Sequence, residues 1–240
     1  SCALDYKGKK KKIGSKKEKF VFVDSTGKFS LLRKSGITSS QEFVTKEELF
    51  PYTKWRDLPL ERGIMISTYS NYSKAISMIR PRASQRLYWF DKKKYFTESR
   101  FSFLEKEAVF SWSITGENPK NTKVVKLNGP KKLYCYLGQI IDCIKETSFF
   151  EKSRIKKRGT VNFSLIFDGY PYFNEQFNIT KIDPIVESSF SFEKEMNDGS
   201  LRYSLSFLDQ KITYIVDRED NLIDKFWISQ RLSLKKVLEQ

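Results

Sequence analysis

The residue best placed to do chemistry in this 240-residue chain is Cys2, set between the small residues Ser1 and Ala3 and followed by a run rich in Lys and Gly. A cysteine beside small residues, ahead of a segment too polar to fold, suits cleavage and acylation, and two or more acyl chains hold a protein stably on a membrane. The chain has no histidine, and its other cysteines, Cys135 and Cys143, form no CxxC pair. Ser-His and Cys-His triads are thereby excluded, and three scattered cysteines do not build a structural zinc site. Catalysis would have to run on carboxylates alone. Asp183-Pro184 and the Glu193-Lys194-Glu195 run read as a turn and a solvated strand end rather than an acid/base pair. The chain is therefore expected to be non-catalytic and to need no cofactor or metal, with a histidine-independent carboxylate hydrolase as the least favoured class.

The second set of chemistry-bearing residues is cationic. The net charge is +15, and Lys7, Lys9, Lys10, Lys11, Lys12, Lys16, Lys17 and Lys19 against Asp5 and Glu18 place six net positive charges in the first nineteen residues. In the body, Arg80, Arg82 and Arg86 lie beside Tyr88 and Trp89, and Lys92, Lys93 and Lys94 lie beside Tyr95 and Phe96. Arg154, Lys156, Lys157 and Arg158 form a further cluster. Cations next to rings suit single-stranded nucleic acid, and spaced cations on a β surface suit sulfated glycans. The same residues also read as charged turns between aromatic strands, and no RNP-type sequence, zinc knuckle or helix-turn-helix pattern favours nucleic acid.

Cys2 with a small residue before it, the charged segment behind it and a Lys- and Phe-rich β body together resemble spirochaetal surface lipoproteins of the Borrelia type. The resemblance covers the first nineteen residues and the general composition, and assigns no family to the body. It implies a lipid-anchored protein on the bacterial outer membrane surface, attached through Cys2. The implied role is non-catalytic, binding or structural, toward host or extracellular macromolecules. The Lys-rich tether departs from the mixed Asn, Ser and acidic tethers of that group. This keeps open an alternative, a cytoplasmic nucleic-acid-binding protein whose basic arm contacts phosphates.

The elements that must carry these residues are mostly strands. Residues 1–18 are expected to be a disordered tether, followed by a β-rich folded region over 19–240. That region is one domain or two sub-blocks, 19–127 and 160–230, joined by a helix over 130–150. Phe20–Val23 and Phe29–Leu32 flank an Asp24–Gly27 turn and predict a hairpin. Thr45-Lys46-Glu47-Glu48 has capping-box spacing, so a short helix is expected within Phe43–Trp55, and Tyr72–Ile79 has helical spacing before Pro81. Alternating runs from Leu87 to Leu127 predict antiparallel strands. Leu133, Leu137, Ile140, Ile141 and Ile144 form the stripe of a long amphipathic helix. On one such helix Cys135 and Cys143 would stand ~12 Å apart, beyond the ~7 Å reach of a disulfide, so unpaired thiols are expected. Beyond it, Val186–Phe192, Leu201–Phe207, Ile212–Val216 and Leu222–Ile228 predict a four-strand meander, and Leu232–Leu238 a terminal helix. The expected class is α+β and β-rich: an antiparallel meander, sandwich or half-barrel with one central amphipathic helix and short accessory helices. No run approaches the ~20 apolar residues that cross a bilayer as a helix.

Overall fold

The computed structural model describes residues 2–4, 10–12, 15–25, 27–39, 42–51, 64–72, 80–90, 93–103, 108–115, 121–127, 133–167 and 185–237. The fold is β-rich α+β. A two-stranded ladder pairs β1 (Cys2–Leu4) with β2 (Lys10–Lys12), Cys2 opposite Lys12. The other strands are β3 (Lys16–Asp24), β4 (Gly27–Ile37), β5 (Phe43–Pro51), β6 (Ile64–Tyr72), β7 (Arg80–Phe90), β8 (Lys93–Phe103), β9 (Ala108–Thr115) and β10 (Asn121–Leu127). They continue with β11 (Tyr134–Tyr136), β12 (Thr160–Ile166), β13 (Ile185–Glu195), β14 (Leu201–Phe207), β15 (Gln210–Val216), β16 (Leu222–Trp227) and β17 (Leu232–Lys236). All fifteen join one sheet, ordered β10-β9-β8-β7-β6-β5-β4-β3-β17-β16-β15-β14-β13-β12-β11. Every neighbouring pair is antiparallel except β11 with β12. The sheet rolls up until β11 lies against β7, and the segment after β11 passes through the interior.

The expected meander is present as β13 to β16, with its turn at Asn197–Gly199, and β17 extends it. Three expected helices are corrected. Phe43–Pro51 is strand β5, because Thr45, Glu47 and Leu49 are buried on alternate positions and both edges are taken by β4 and β6. Leu232–Lys236 is β17, where Leu232 and Leu234 alternate inward. The long helix over 130–150 is broken into β11, a 3-10 turn (Leu137–Gln139), α1 (Ile140–Lys145) and α2 (Phe149–Lys156). Leu137, Ile140, Ile141 and Ile144 of its apolar stripe are buried and Leu133 is partly so, but the first part of that stretch hydrogen-bonds as a strand beside β12. Cys135 is therefore on a strand and Cys143 on the following helix, their Cα atoms 5.8 Å apart, and they are disulfide-bonded. This overturns the expectation of unpaired thiols. Within the residues 1–18 expected as a tether, β1 pairs with β2 and β3 begins at Lys16. The expected helix at Tyr72–Ile79 falls on residues 73–79, outside the described ones.

The two halves of the rolled sheet present different inner faces. From β12 to β16 the inner wall is aromatic and aliphatic, with Phe163, Leu165, Phe190, Tyr203, Leu205, Ile212 and Trp227 almost inaccessible to solvent. Phe149 and Phe150 of α2 pack on this wall. Phe150 stands edge-on to Tyr203 at 5.0 Å between ring centroids, Tyr203 stacks on Phe190 at 5.3 Å, and Ser153 bonds the Tyr203 hydroxyl at 3.0 Å. Edge-to-face and offset pairs of this kind contribute about 0.5–1.5 kcal/mol each beyond burial. From β3 to β8 the inner wall instead grades from apolar (Phe20, Leu31, Leu49) to polar (Thr45, Ser84, Ser99) along the strands.

Candidate functional site

Strand register sets the charges into rows. The turn that places Asp24 opposite Gly27 also places Glu18 opposite Arg33 and Lys17 opposite Lys34. β5 then sets Glu47 opposite Arg33 and Lys46 opposite Lys34. Because side chains alternate across a strand, one row points inward and the other outward.

The inward row is charge-compensated. Glu18, Arg33 and Glu47 are buried in sequence −, +, −, and the same register continues through Ser67 of β6 to Arg86 of β7 and Thr97 of β8. Arg33 reaches Glu47 Oε1 at 3.4 Å, and its Nη2 donates to Asp142 Oδ2 of α1 at 2.8 Å and to the Gly138 carbonyl at 2.9 Å. Gln139 Nε2 donates to Thr45 Oγ1 at 2.9 Å, Ser84 and Ser99 share a hydrogen bond at 2.6 Å, and Ser99 meets the Tyr136 hydroxyl at 3.4 Å. The central segment is thus held by polar bonds on one side and apolar packing on the other.

This network continues to the rim where β3 begins. Glu18 bonds Lys16 at 2.9 Å and Lys236 at 3.1 Å. Burial alone would raise its carboxyl, but the hydrogen bonds and charges of these two lysines hold it below its ordinary value. Asn221 Oδ1 accepts from Lys16 at 2.7 Å and Lys145 at 3.3 Å. Burial, with the Lys16 charge added, lowers Lys145, while burial raises Asp220 despite its ion pair with Arg154. A hollow of about 330 Å³ near this rim is lined by Asp198, Ser200, Asp217, Arg218, Glu219 and Ile223. Its carboxylates act as turn caps: Asp198 accepts from the Ser200 backbone and hydroxyl, and Asp217 from the Glu219 and Asn221 backbones. Among the described residues no three His, Cys, Asp or Glu side chains are grouped to hold a metal.

The outward row is only partly compensated, by Glu48, whose carboxyl is held below its ordinary value by the Lys46 hydrogen bond and the Lys46 and Lys34 charges. Lys17, Lys34 and Lys46 occupy directly opposed positions on three adjacent strands, and all three are exposed. Lys46 bonds Glu48 on its own strand at 2.7 Å. Among the described residues, neither Lys17 nor Lys34 has a carboxylate within ion-pair distance.

The residues singled out in the sequence are dispersed rather than brought together. Arg86 is a correction: it is 7% exposed, on the inward phase with Ser84 and opposite Thr97, so it faces the interior and not a partner. Arg82 is exposed and ion-paired with Glu42. Arg80 opens β7, and Lys93 and Lys94 open β8, opposite Phe90 and Trp89. Lys92 lies outside the described residues. Arg154 is paired with Asp220 and Lys157 with Glu195, while Lys156 and Arg158 are exposed around Ile155, itself 76% exposed. Cys2 lies in β1. Sequence reading missed the outward lysine row. Lys17 and Lys34 were recoverable by extending the hairpin register outward from its turn, but Lys46 was hidden by the helical reading of its segment.

No family model matches the chain. No curated protein matches it either. Among solved structures it is similar to the crystal structure of a β-barrel-like protein of a domain of unknown function (DUF1849) from Brucella abortus, at 8% identity, covering 100% of this chain and 98% of that one, with a TM-score of 0.49.

Proposed function

We propose that this chain is a lipid-anchored protein of a bacterial outer membrane surface, acylated at Cys2, whose β-rich body serves as a non-catalytic binding or structural module. The observation that carries this reading is the buried Cys135–Cys143 disulfide. Disulfides form and persist in oxidising compartments such as the periplasm and the cell surface, and are rare in the cytosol. That favours an envelope protein over a cytoplasmic nucleic-acid-binding one. With two of the three cysteines paired, Cys2 remains as the thiol available for acylation. The buried carboxylates Glu18 and Glu47 are engaged by Lys16, Lys236 and Arg33, which suits a structural role better than general acid or base work. The exposed Lys156 and Arg158 form the face offered to an extracellular macromolecule.

The test is metabolic labelling with palmitate in the source bacterium. Incorporation that disappears on Cys2→Ser, in a chain whose other two cysteines resist alkylation until reduced, supports the reading. A chain that takes up no acyl group and carries three reduced thiols would overturn it.

A further inference from the structure

We propose that the outer wall formed by β3, β4 and β5 is a docking surface for an anionic phospholipid membrane, with Lys17, Lys34 and Lys46 as its contact row. This goes beyond acylation at Cys2, since the wall would bind lipid headgroups without any acyl chain. The lipoprotein reading contributes only the expectation that a bilayer is nearby.

The geometry works against folding. Like charges directly opposite one another across antiparallel strands destabilise a sheet, and here two such pairs share Lys34. Lysines often protect sheet edges from aggregation, and Lys17 lies where β3 is paired on one side only, since β17 reaches it from Phe20 to Val23. Lys34 and Lys46 lie on β4 and β5, paired on both sides, so edge protection does not account for them. The same three strands carry a compensated row on their inner face, one residue along. A compensated pattern was therefore compatible with these strands, and the outward row departs from it.

The surface chemistry favours a membrane over other polyanions. Lys19, exposed two positions along β3 on the same outward phase, adds a fourth cation beside Lys17. The nearest outward positions, Lys19, Leu32, Gly36, Val44 and Glu48, carry no ring on which a nucleic-acid base would stack. The one exposed ring further along β5 among the described residues, Phe50, 44% exposed opposite Ser30, stands four positions from Lys46 as an apolar side chain that a headgroup layer would cover. Val237, 42% exposed, is tied through its N–H to the Lys19 carbonyl at 2.9 Å and adds an apolar side chain beside the cations. Lysine ammoniums act as mobile point charges on phosphates, and basic residues at an anionic membrane surface are additive in binding.

The experiment uses the full chain carrying Cys2→Ser, unlipidated, sedimented with phosphatidylcholine vesicles containing or lacking phosphatidylglycerol. Binding is expected only with phosphatidylglycerol and should weaken as salt rises. The variant Lys17→Gln/Lys34→Gln/Lys46→Gln is expected to bind about a hundred-fold more weakly, with a melting temperature equal to or above that of the parent. Arginine at the same three positions should preserve binding, and Lys156→Gln/Arg158→Gln should leave it unchanged. Unchanged vesicle binding by the triple glutamine variant overturns the proposal. So does a parent chain that binds heparin or an oligonucleotide through these lysines but no vesicle. None of these outcomes depends on acylation, which the palmitate labelling decides separately.

Discussion

Arg33 of β4 and Asp142 of α1, 109 positions apart in sequence, are joined by a 2.8 Å hydrogen-bonded ion pair across the interior of the rolled sheet. Glu47 completes the group from β5 at 3.4 Å. This is where the charged half of the sheet grips the central segment, so its loss should be felt by the whole fold.

Arg33→Met leaves Glu47 buried beside Asp142 with the cation between them removed. Removing one partner of a buried ion pair costs about 3–5 kcal/mol, and the lower end is expected because Asp142 is partly exposed. Urea unfolding should show a fall in unfolding free energy of that size. An unfolding free energy within about 0.5 kcal/mol of wild type, the range of ordinary surface substitutions, would contradict the gripping role.

Replacing Cys135 and Cys143 together with serine opens an eight-residue separation. Constraining a loop of this size stabilises by about 2.5 kcal/mol in the chain-entropy picture. The unfolded, unreduced and unlipidated chain should react with one equivalent of thiol reagent, at Cys2, and gain two more on reduction; unfolded chains with three reactive thiols before reduction would refute the pairing.

The acid limb of stability should bear the mark of Glu18. Its folded carboxyl lies below the ordinary value of 4.5, so its contribution is fully present above that value and is lost as pH falls through the folded one. Asp220 works in the opposite sense, its raised value favouring the fold when protonated and the benefit fading as pH rises. Glu18→Gln should flatten the fall in melting temperature below about pH 4.5, while Asp220→Asn should not. An unchanged acid slope in Glu18→Gln would show that this ion pair does not govern the limb.

Leu208, in the two-residue turn between β14 and β15, has φ of 50° and is 64% exposed. A left-handed backbone costs a branched L-residue about 1 kcal/mol, which asparagine partly escapes. Leu208→Asn should therefore raise the denaturation midpoint slightly, and a drop would mean that the leucine side chain contributes contacts.

The meander from β13 to β16 could be read in the sequence because each strand keeps its own alternation and each turn its own residues, as at Asn197-Asp198-Gly199. The failures share a physical cause. Phe43–Pro51 and Leu232–Lys236 carry too few apolar residues to distinguish a period of 2 from one of 3.6, and partners on both flanks decide the outcome. The stretch over 130–150 has a true helical stripe, yet its first part is captured by β12, a partner thirty residues downstream. The charged rows depend on register across several strands, which no single segment encodes. Arg86 illustrates the point: adjacent rings suggested a surface patch, and phase relative to Ser84 and Thr97 put it inside.

Pairing of Cys2 with Lys12 leaves only four chain steps between that ladder position and Lys16. Fully extended, four residues span about 14 Å, against about 48 Å for the fourteen from Cys2 to Lys16. An acyl chain on Cys2 would then act as a short leash, confining the lysine wall to a thin layer above the headgroups. Within such a layer the effective concentration of lipid phosphate reaches the millimolar range or above, so the lysine row that binds vesicles without an acyl chain would, once the chain is anchored, also fix which side of the rolled sheet faces the bilayer.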